Sequence, residues 1–419
     1  MEKKFVTRNS LLTDVFEHPR TRNLYNVYVL AFTCFTFYTA AKEFITTGRV
    51  TLGLGTIRTG FAHFDKAIFV WLCYFGSTCA VFYLFKIWSN LREFVKEVAT
   101  IFDWFGATSL IFYYFYSFKL VTFAVYYFEF NPPCTVFTTL ELIRHLMKVH
   151  SFVRTKASQT SPNLNFSNYL YYLFAPTLIY RDAYPRTNSI NWNFFIQCLL
   201  ESISVLFIFT FCVIHSLPSP ERWLQKFTIS EVLLEIVEKM VYGTFALTGI
   251  FFLIFHSVQN LFAEILRFGD RLFYLDWWNE HSYHGWLSKW NKIVQDWLYY
   301  YVYRDFKVYV CNNSFLPRFV VFLVSFGVHE WVMCCWTGGF FPFMFLLFVT
   351  VVFPLSYYNP PKNIIFNVFL WFSGILLLVT GLVFYTLEWY ARTKSPLKDP
   401  TLWDFLVPRF VTCDCVLRS

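Results

Sequence analysis

The chain has 419 residues, of which 56% are hydrophobic and 23% aromatic, whereas only 15% are charged. Soluble domains carry about 25% charged residues, so this composition excludes a soluble globular protein and indicates a polytopic membrane protein. The formal net charge of +8 bears on loop orientation and on contacts with anionic lipid. No nucleic-acid-binding module is recognisable, and we expect no nucleic-acid partner.

The first 23 residues are polar and basic, and we predict that residues 1–23 form a cytosolic N-terminal tail. They contain neither the apolar core nor the cleavage site of a signal peptide, so we expect the first span to act as the signal anchor. Residues 24–387 are predicted to form one integral membrane domain. Residues 388–419 would follow as a lumenal C-terminal tail.

Nine segments are predicted to cross the bilayer as helices, because about 20 apolar residues span its hydrocarbon core. The fold class is therefore an all-α polytopic membrane protein. Eight of the segments are apolar runs. The fourth carries Glu141, Arg144 and Lys148, and we accept it because it restores the positive-inside rule for every later loop. The predicted spans are Leu24–Ala41, Ala67–Phe85, Trp104–Phe128, Cys134–Val149, Phe194–Ile214, Val241–Phe262, Phe319–Trp336, Phe340–Tyr357 and Ile364–Leu387.

Two loops carry features of their own. Ser167–Thr187 is aromatic and predicts a short interfacial helix followed by an extended turn, since Pro176 and Pro185 forbid a long helix. The loop from Ala263 to Arg318 is predicted to be cytosolic, so its cations would guide a soluble anionic cosubstrate. Alternatively, they are ordinary positive-inside residues that contact lipid phosphates. These cations are Arg267, Arg271, Lys289, Lys292, Arg304 and Lys307.

The seventh span carries a titratable pair, His329 and Glu330, near its centre. A charged group at that depth costs roughly 3 kcal/mol or more, so the pair indicates a functional site. Glu330 points about 100° around the helix from His329 and is predicted to be a structural partner rather than a second base. The alternative for His329 is a packed, hydrogen-bonded contact between helices.

A neutral imidazole in an apolar cavity accepts a proton from a hydroxyl group, because burial disfavours its charged form. The activated hydroxyl then attacks an acyl carbonyl, whose oxygen needs a hydrogen-bond donor. Asn279 and Asn291, each following a tryptophan, are candidate suppliers of an amide donor. A dry site also suppresses hydrolysis of an activated ester. These residues predict acyl transfer to a hydroxyl group.

Other chemistries remain open. Ser325 lies four residues before His329, so a Ser–His nucleophile with an acyl-enzyme intermediate is conceivable, although no third orienting group is evident. His281 and His284 lie three residues apart, but no further ligands lie nearby, and we expect no metal site. A transporter or channel would use His329 and His256 to line a conduction path. Neither inverted repeats nor paired broken helices, which are typical of transporters, are found.

Several motifs in this order resemble those of the membrane-bound O-acyltransferases, in particular the sterol O-acyltransferase branch. They are FYLDWWN at 273–279, WN at 290–291 followed by QDW, and VHEW at 328–331. The resemblance extends over nearly the whole chain, from SLLTDVFE at 10–17 to PLKDP at 396–400. Two longer motifs also match the sequence pattern of that branch, YLFAPTLIYRDAYPR and QDWLYYYVYRDF.

The resemblance implies nine helices that enclose an intramembrane reaction chamber in the endoplasmic reticulum membrane. It implies transfer of a long-chain acyl group from acyl-CoA, which enters from the cytosol, to a membrane sterol that arrives laterally from the bilayer. No cofactor is implied besides this cosubstrate. His329 would be the catalytic base, with Asn291 as its catalytic partner. The implied substrate-binding residues are Phe273, Tyr274, Asp276, Trp277, Trp278, Asn279, Trp290, Ser325, Gln295 and the chamber-facing His256.

Three departures from the family pattern stand out. Gln295 occupies the position of a histidine in the pattern W-N-x-x-V-H-x-W; glutamine does not titrate, but it keeps a donor and an acceptor. The long cytosolic extension that vertebrate members use for tetramer assembly does not precede this core, and we expect a homodimer. Ser395 stands where the first residue of a lumenal cysteine pair is expected.

Three alternative functions follow from these motifs and departures. The acyl acceptor would be diacylglycerol or a long-chain alcohol instead of a sterol. The diacylglycerol branch has Glu where this chain has Asp276, and it lacks the RDAYPR and LYYYVYRDF wording, which favours a sterol. If Gln295 disables the chamber, the chain would be a non-catalytic lipid-binding or transport relative.

Overall fold

A computed structural model describes residues 3–50, 54–159, 162–216, 228–394 and 401–412. Ser395 lies outside the described residues. Within them the regular structure is helical, and β-type pairing is limited to isolated bridges such as Arg8 with Asp270. The predicted all-α class is confirmed. The nine main helices of the described residues are α1 (Arg22–Thr47), α2 (Phe64–Phe94), α3 (Ala99–Tyr127), α4 (Pro132–Ala157), α5 (Trp192–Ser216), α6 (Ile229–Ile265), α7 (Phe315–Thr337), α8 (Phe343–Leu355) and α9 (Ile364–Lys394).

Each predicted span lies on one of these helices. Within the described residues, α2, α3, α5, α6, α7 and α9 are long and apolar enough to cross a membrane. The charged helix α4 satisfies its polar groups internally. Arg144 Nε pairs with Glu141 at 2.7 Å, and Lys148 Nζ donates to the carbonyls of Tyr172 and Ala175 at 2.5 and 2.7 Å. Such partners allow a helix with low hydropathy to pack inside a membrane domain.

Contacts at the two ends of α4 support the predicted crossing. At its start, Asn131 Nδ2 donates to the carbonyl of Thr59 at 2.8 Å, beside the loop that precedes α2. Near its end, Arg154 Nε pairs with Asp305 at 3.0 Å, in the loop that precedes α7. The predicted topology assigns these two loops to opposite faces. Both contacts agree with a crossing by α4, which stays a prediction.

The predicted short helix is confirmed, while its interfacial location stays a prediction. It covers Phe166–Phe174 and begins at Asn165, whose side-chain oxygen accepts hydrogen bonds from the N–H groups of Ser167 and Asn168. Asparagine is a preferred residue at this capping position. Extended backbone follows the helix, and its tyrosines pack in the same buried cluster as the FYLDWWN motif.

The eighth span is shorter than predicted. Phe340–Tyr357 suggested a complete crossing, but α8 covers only Phe343–Leu355, 13 residues, or about 20 Å of helix. Helix α7 ends at Gly338, which has a φ of +77°. Pro342 precedes α8, and Pro354 lies in its last turn. The full-length prediction was wrong because apolar composition does not reveal where glycine and proline interrupt the helix.

The boundary proposed at Glu388 also needs correction. Helix α9 continues to Lys394, and the fully buried Glu388 accepts hydrogen bonds from Arg392 Nε at 2.5 Å and the Arg409 N–H at 2.7 Å. Phe410 packs against Phe384 of α9. The described part of the C-terminal segment therefore belongs to the membrane domain. Its helices are Leu402–Leu406 and Arg409–Thr412.

Helices α6 and α9 approach closely at Gly243. A Cβ atom on Gly243 would collide with Cγ2 of Val379. Val379 belongs to a buried cluster that also contains Ile236, Leu247 and Ile375. Because residue 243 has no side chain, α6 packs closely against α9. Both helices line the cavity described below.

We predict that Gly243→Ala destabilises the protein, because overpacking a filled core costs about 1–3 kcal/mol. Gly76→Ala on α2 is the matched control, since a Cβ there meets no atom within 4 Å. Thermal unfolding in detergent, followed by the loss of the monodisperse peak on size-exclusion chromatography, measures both variants. An equal midpoint for Gly243→Ala and wild type would contradict the close approach of α6 and α9.

Candidate active site

A cavity of about 750 Å³ lies between helices α6, α7, α8 and α9 and two short helices that precede α7. The first short helix is Tyr283–Trp290. The second begins at Lys292–Leu298 and continues through a π-helical turn, Tyr299–Tyr303. Aromatic and aliphatic side chains form most of the wall. The volume falls within the range of about 300–1,000 Å³ that is usual for small-molecule sites.

One face of α7 lines this cavity along most of the helix. Its members include Arg318, Ser325, His329 and Trp336. Trp336 lies 18 positions after Arg318, which corresponds to about 27 Å of helix. This length is close to the bilayer core of about 30 Å. His329 lies about 16 Å along the helix from Arg318. The cavity thus extends through membrane depth and carries a histidine beyond its midpoint.

His329 is held by the main chain of its own helix. Its Nδ1 lies 2.7 Å from the carbonyl oxygen of Ser325. A carbonyl only accepts, so Nδ1 carries a hydrogen, and in a neutral imidazole Nε2 is then the acceptor. The His329 side chain is exposed to the cavity. Because the carbonyl of Ser325 and not its hydroxyl orients the ring, the arrangement is that of a proton acceptor rather than a Ser–His nucleophile.

Glu330, the neighbour of His329, faces away from the cavity. It is buried and accepts hydrogen bonds from the Tyr385 hydroxyl at 2.9 Å and from the N–H of Phe345 at 2.9 Å. These contacts tie α7 to α8 and α9. Glu330 is therefore the structural partner that its position on the helix predicts.

Asn291 forms the junction between the two short helices. It ends Tyr283–Trp290, and its Oδ1 caps the next helix by accepting a hydrogen bond from the N–H of Val294 at 3.1 Å. An N–H group only donates, so the atom that faces Val294 is the oxygen. The NH2 group remains available for a ligand in the cavity, which Asn291 lines. Asn291 thus offers a donor opposite the acceptor on His329.

Gln295 also lines the cavity, one turn beyond Asn291. Its N–H donates to the carbonyl of Asn291 at 3.0 Å, and its Oε1 accepts from Lys292 Nζ. The helix begins after Asn291, and the two amide oxygens bind different partners, Val294 N–H and Lys292 Nζ.

The aromatic part of FYLDWWN lies behind the cavity. Trp290 lines the cavity and packs on Trp277, with 4.5 Å between ring centroids. Phe273 and Tyr274 are 1% exposed, and Trp277 is 4% exposed. These three side chains belong to a buried cluster and are not part of the cavity wall. They support Trp290 from behind instead of contacting a substrate directly.

The polar groups of FYLDWWN lie outside the cavity and hold its surroundings in place. Asp276 pairs with Lys289 at 2.7 Å, the carbonyl of Trp278 accepts hydrogen bonds from α9, and Asn279 is exposed. None of these three motif residues lines the cavity. Burial lowers the pKa of Lys289, but its hydrogen bonds with Asp276 and Glu280 outweigh this effect and raise the pKa above its ordinary value. The motif therefore attaches the short helix Tyr283–Trp290 to its surroundings.

His256 lies elsewhere than the resemblance implies. It occupies the π-helical turn Phe252–Val258 of α6 and is 3% exposed. Its Nδ1 lies 2.7 Å from the Tyr274 hydroxyl and 3.4 Å from the Ser10 hydroxyl, to which Asn260 also donates at 3.0 Å. The expectation that His256 faces the chamber needs correction, because its ring points towards the N-terminal segment.

Arg318 is a cavity residue that the motifs do not reveal. It lies over the ring of Tyr357 at 5.5 Å, and no carboxylate pairs with it in the part of the chain that the structure describes. His284 lines the cavity too; burial lowers its pKa, and the charge of Arg318 lowers it further. The spacing of 11 residues between Arg318 and His329 could have identified it, since 11 residues are close to three helical turns.

The loop cations predicted to guide an anionic cosubstrate divide into two groups. Arg271, Lys289 and Lys292 are held in ion pairs with acidic side chains. Arg304 and Lys307 lie over tyrosine rings at 5.3 and 5.9 Å, and Arg304 also lies 3.9 Å from Asp305. Arg267 donates to the carbonyl of Asn188 at 3.3 Å. The paired group stabilises the loop itself. Any steering of an anion therefore depends more on the second group and on Arg318.

The two histidines beside the cavity, His281 and His284, do not form part of a metal cluster in the described residues. No group of three or more His, Cys, Asp or Glu side chains there is arranged to hold a metal ion. The nearby Glu280 pairs with Lys289 at 2.5 Å.

Residues 59–386 match MBOAT, the membrane-bound O-acyltransferase family. The chain belongs to this family. It is an acyltransferase and a multi-pass membrane protein. Sterol O-acyltransferase 1 of Rattus norvegicus is 33% identical over 429 residues, which cover 98% of this chain and 78% of the relative. The mouse protein of the same name is 34% identical over 428 residues, covering 98% and 79%. Sterol O-acyltransferase 2 of Homo sapiens is 32% identical over 429 residues, covering 98% and 80%.

We predict that Tyr274→Phe lowers the stability of this acyltransferase without weakening the binding of an acyl-CoA. The change removes the hydroxyl that hydrogen-bonds to the buried His256, and an unsatisfied buried polar group costs about 1–3 kcal/mol. Thermal unfolding and binding of a non-hydrolysable acyl-CoA analogue separate the two effects. Weaker binding at an unchanged unfolding midpoint would instead assign Tyr274 to the substrate site.

Proposed function

We propose that this acyltransferase transfers a long-chain fatty acyl group from acyl-CoA to the hydroxyl of a sterol, giving a sterol ester and CoA. One observation carries the proposal. One cavity with a mostly apolar wall holds His329, whose Nδ1–H donates to a carbonyl, together with the side-chain amide of Asn291. The names of the relatives, sterol O-acyltransferase 1 and 2, support a sterol as the acceptor.

His329 Nε2 takes the proton from the sterol hydroxyl as the oxygen attacks the thioester carbonyl. The carbonyl oxygen becomes negatively charged, and the NH2 group of Asn291 donates a hydrogen bond to it. The carbon–sulfur bond then breaks, and the imidazolium returns its proton to the departing thiolate of CoA. The reaction forms one ester bond, breaks one thioester bond and leaves the histidine neutral.

The distribution of charge along the cavity supports the identity of the acyl donor. Arg318 lines the cavity at the start of α7, and most of the remaining wall is apolar. A guanidinium group suits the phosphates of CoA, because it forms strong hydrogen bonds with them. The apolar wall suits the acyl chain and the sterol, and it keeps water away from the thioester.

The test of this proposal uses cells that lack sterol-ester synthesis. We expect expression of the chain to restore sterol esters in their lipid extract. Accumulation of triacylglycerol or wax ester instead would favour diacylglycerol or a long-chain alcohol as the acceptor. A folded protein that binds acyl-CoA but forms no ester would be a lipid-binding relative. Asp276 does not decide the acceptor by contact, since it lies outside the cavity wall and pairs with Lys289.

We predict that His329→Ala abolishes ester formation while expression and membrane insertion persist, because the variant loses the Nε2 atom that takes the hydroxyl proton in the proposed reaction. Turnover is measured in microsomes at matched protein levels. His281→Ala is the matched control, since His281 is not part of the cavity wall. Retention of a tenth or more of the wild-type turnover by His329→Ala would count against its role as the base.

We predict that Asn291→Ala reduces kcat by about 10²–10³, the usual effect of removing one donor to a developing oxyanion. The affinity for acyl-CoA should change far less. Because Asn291 also caps a helix, Asn291→Ser is the control: serine preserves a cap but lacks the amide. It should retain the unfolding midpoint and lose turnover. A defect that appears entirely as weaker acyl-CoA binding would make Asn291 a binding residue.

We further propose that the protein is a homodimer in the endoplasmic reticulum membrane. Helix α1 offers a surface for a second copy, since large apolar side chains on it are exposed in one chain. Mass measurement of the detergent-solubilised protein is expected to give a dimer, whereas a stable tetramer would contradict it. Microscopy of a labelled chain tests the location. The exposed residues are Val27, Leu30, Phe37, Tyr38, Phe44 and Ile45.

A further inference from the structure

The hydrogen-bond partner of Gln295 determines the orientation of its side-chain amide. Lys292 Nζ donates to the side-chain oxygen of Gln295. A lysine ammonium group has three donors and no acceptor, so the atom that it faces must be the oxygen. The NH2 group of Gln295 is then left without a hydrogen bond among the described residues, in a side chain that lines the cavity. Like Asn291, Gln295 offers donors and not an acceptor.

The two amides lie one helical turn apart. Gln295 N–H donates to the carbonyl of Asn291 at 3.0 Å, so the main chain joins the two residues within one turn, and both side chains line the cavity. Both amide oxygens are occupied by donors of the protein, Val294 N–H and Lys292 Nζ. The same stretch of chain therefore presents two NH2 groups to one cavity, which also contains the lone pair of His329.

An ion-pair chain fixes Lys292 in this position. Lys292 Nζ also pairs with Asp296 Oδ1 at 2.9 Å, and the second oxygen of Asp296 pairs with Lys3 Nζ at 2.8 Å. Asp296 is 7% exposed, so these contacts are shielded from water. The chain runs from Lys3 through Asp296 and Lys292 to Gln295. It connects the N-terminal segment to a side chain of the cavity.

The N-terminal segment itself is docked firmly. Arg8 Nε pairs with the buried carboxylate of Asp270 at 2.8 Å, and the Arg8 N–H donates to the carbonyl of Gly269 at 2.9 Å. The ring of Phe5 packs edge-on against Tyr184, with 5.1 Å between centroids. These contacts hold the backbone that follows Lys4, and Lys3 pairs with Asp296 next to this docked stretch.

We propose that Gln295 is a second hydrogen-bond donor to the reacting carbonyl oxygen, beside Asn291, and that Lys3 is a positioning residue that acts on it through Asp296 and Lys292. Two donors stabilise the developing oxyanion better than one, provided that both are oriented before the reaction. The step needs no further reactant, since the electron pair that moves onto the oxygen returns when the thiolate leaves. This inference rests on the proposed acyl transfer, but it concerns the acyl carbonyl, which every acceptor alcohol shares.

The first test compares two substitutions of Gln295. Gln295→Met keeps the approximate volume and removes the donor, and we expect kcat to fall about 10²-fold with little change in acyl-CoA affinity. Gln295→His retains one ring N–H, so kcat should stay within about tenfold of wild type, or about 1.4 kcal/mol of barrier. A double-mutant cycle with Asn291→Ser should be non-additive, because both donors serve one oxygen. A kcat for Gln295→Met equal to that of wild type would overturn the proposal.

The second test concerns Lys3, with Lys4 as its matched control. Lys3→Gln should lower kcat by about two- to tenfold, the scale of a coupling through several contacts, with the Michaelis constant for acyl-CoA unchanged. Lys3→Arg should restore kcat. Lys4→Gln should match wild type, since Lys4 is exposed and has no ion pair in the described residues. Equal kcat values for Lys3→Gln and Lys4→Gln would remove Lys3 from the proposal.

The outcomes separate this proposal from the proposed function. If wild type esterifies an alcohol other than a sterol, the same variants are compared in that reaction, and the expected losses stay the same. The sterol assignment would then fail while the role of Gln295 stands. If wild type esterifies sterols and Gln295→Met is fully active, the function stands and the role of Gln295 is overturned. A wild type that transfers acyl groups to no acceptor would overturn both.

Discussion

Inside a bilayer, a polar group without a partner costs several-fold more than it does in water, and this constraint organises the whole site. The charged residues of α4, the Glu330 carboxylate and the ring of His256 all have partners within the protein. His329 differs, since one ring nitrogen is bonded to a carbonyl and the other faces open cavity. The amides of Asn291 and Gln295 are likewise half satisfied. These three side chains therefore bring unused hydrogen-bonding groups into one cavity.

The distinction between catalytic and structural histidines illustrates how this constraint works. His256 and His329 both lie in long helices, and both resemble functional residues on hydropathy alone. His256 Nδ1 lies close to Ser10, Asn260 and Tyr274, which join the N-terminal segment to α6. This ring is outside the cavity wall, which fits a structural role. His329 lines the cavity and is the base of the proposed reaction.

Sequence patterns located all nine helices, and loop charge identified α4 where hydropathy could not, because the positive-inside rule counts crossings. They also identified His329 and Asn291, whose positions follow from helix depth and from motif spacing. Three features could not be predicted from the sequence. The direction of the His256 ring depends on residues some 250 positions away, and the brace made by Asp276 depends on Lys289. The partner of Gln295 is local, but no spacing rule shows which of its two amide atoms faces Lys292.

The short helix α8 has a consequence for the surrounding lipid. With 13 residues it is about 10 Å shorter than the hydrocarbon core, while α7 and α9 beside it are long enough to cross. Hydrophobic mismatch costs fractions of a kcal/mol per Å, and lipid answers by thinning next to the short element. The bilayer would thus be locally thinner beside the wall of the cavity. Sterol-rich membranes are thicker, so the energetic cost of this thinning would rise as sterol accumulates. Bilayer thickness would then affect the packing around His329.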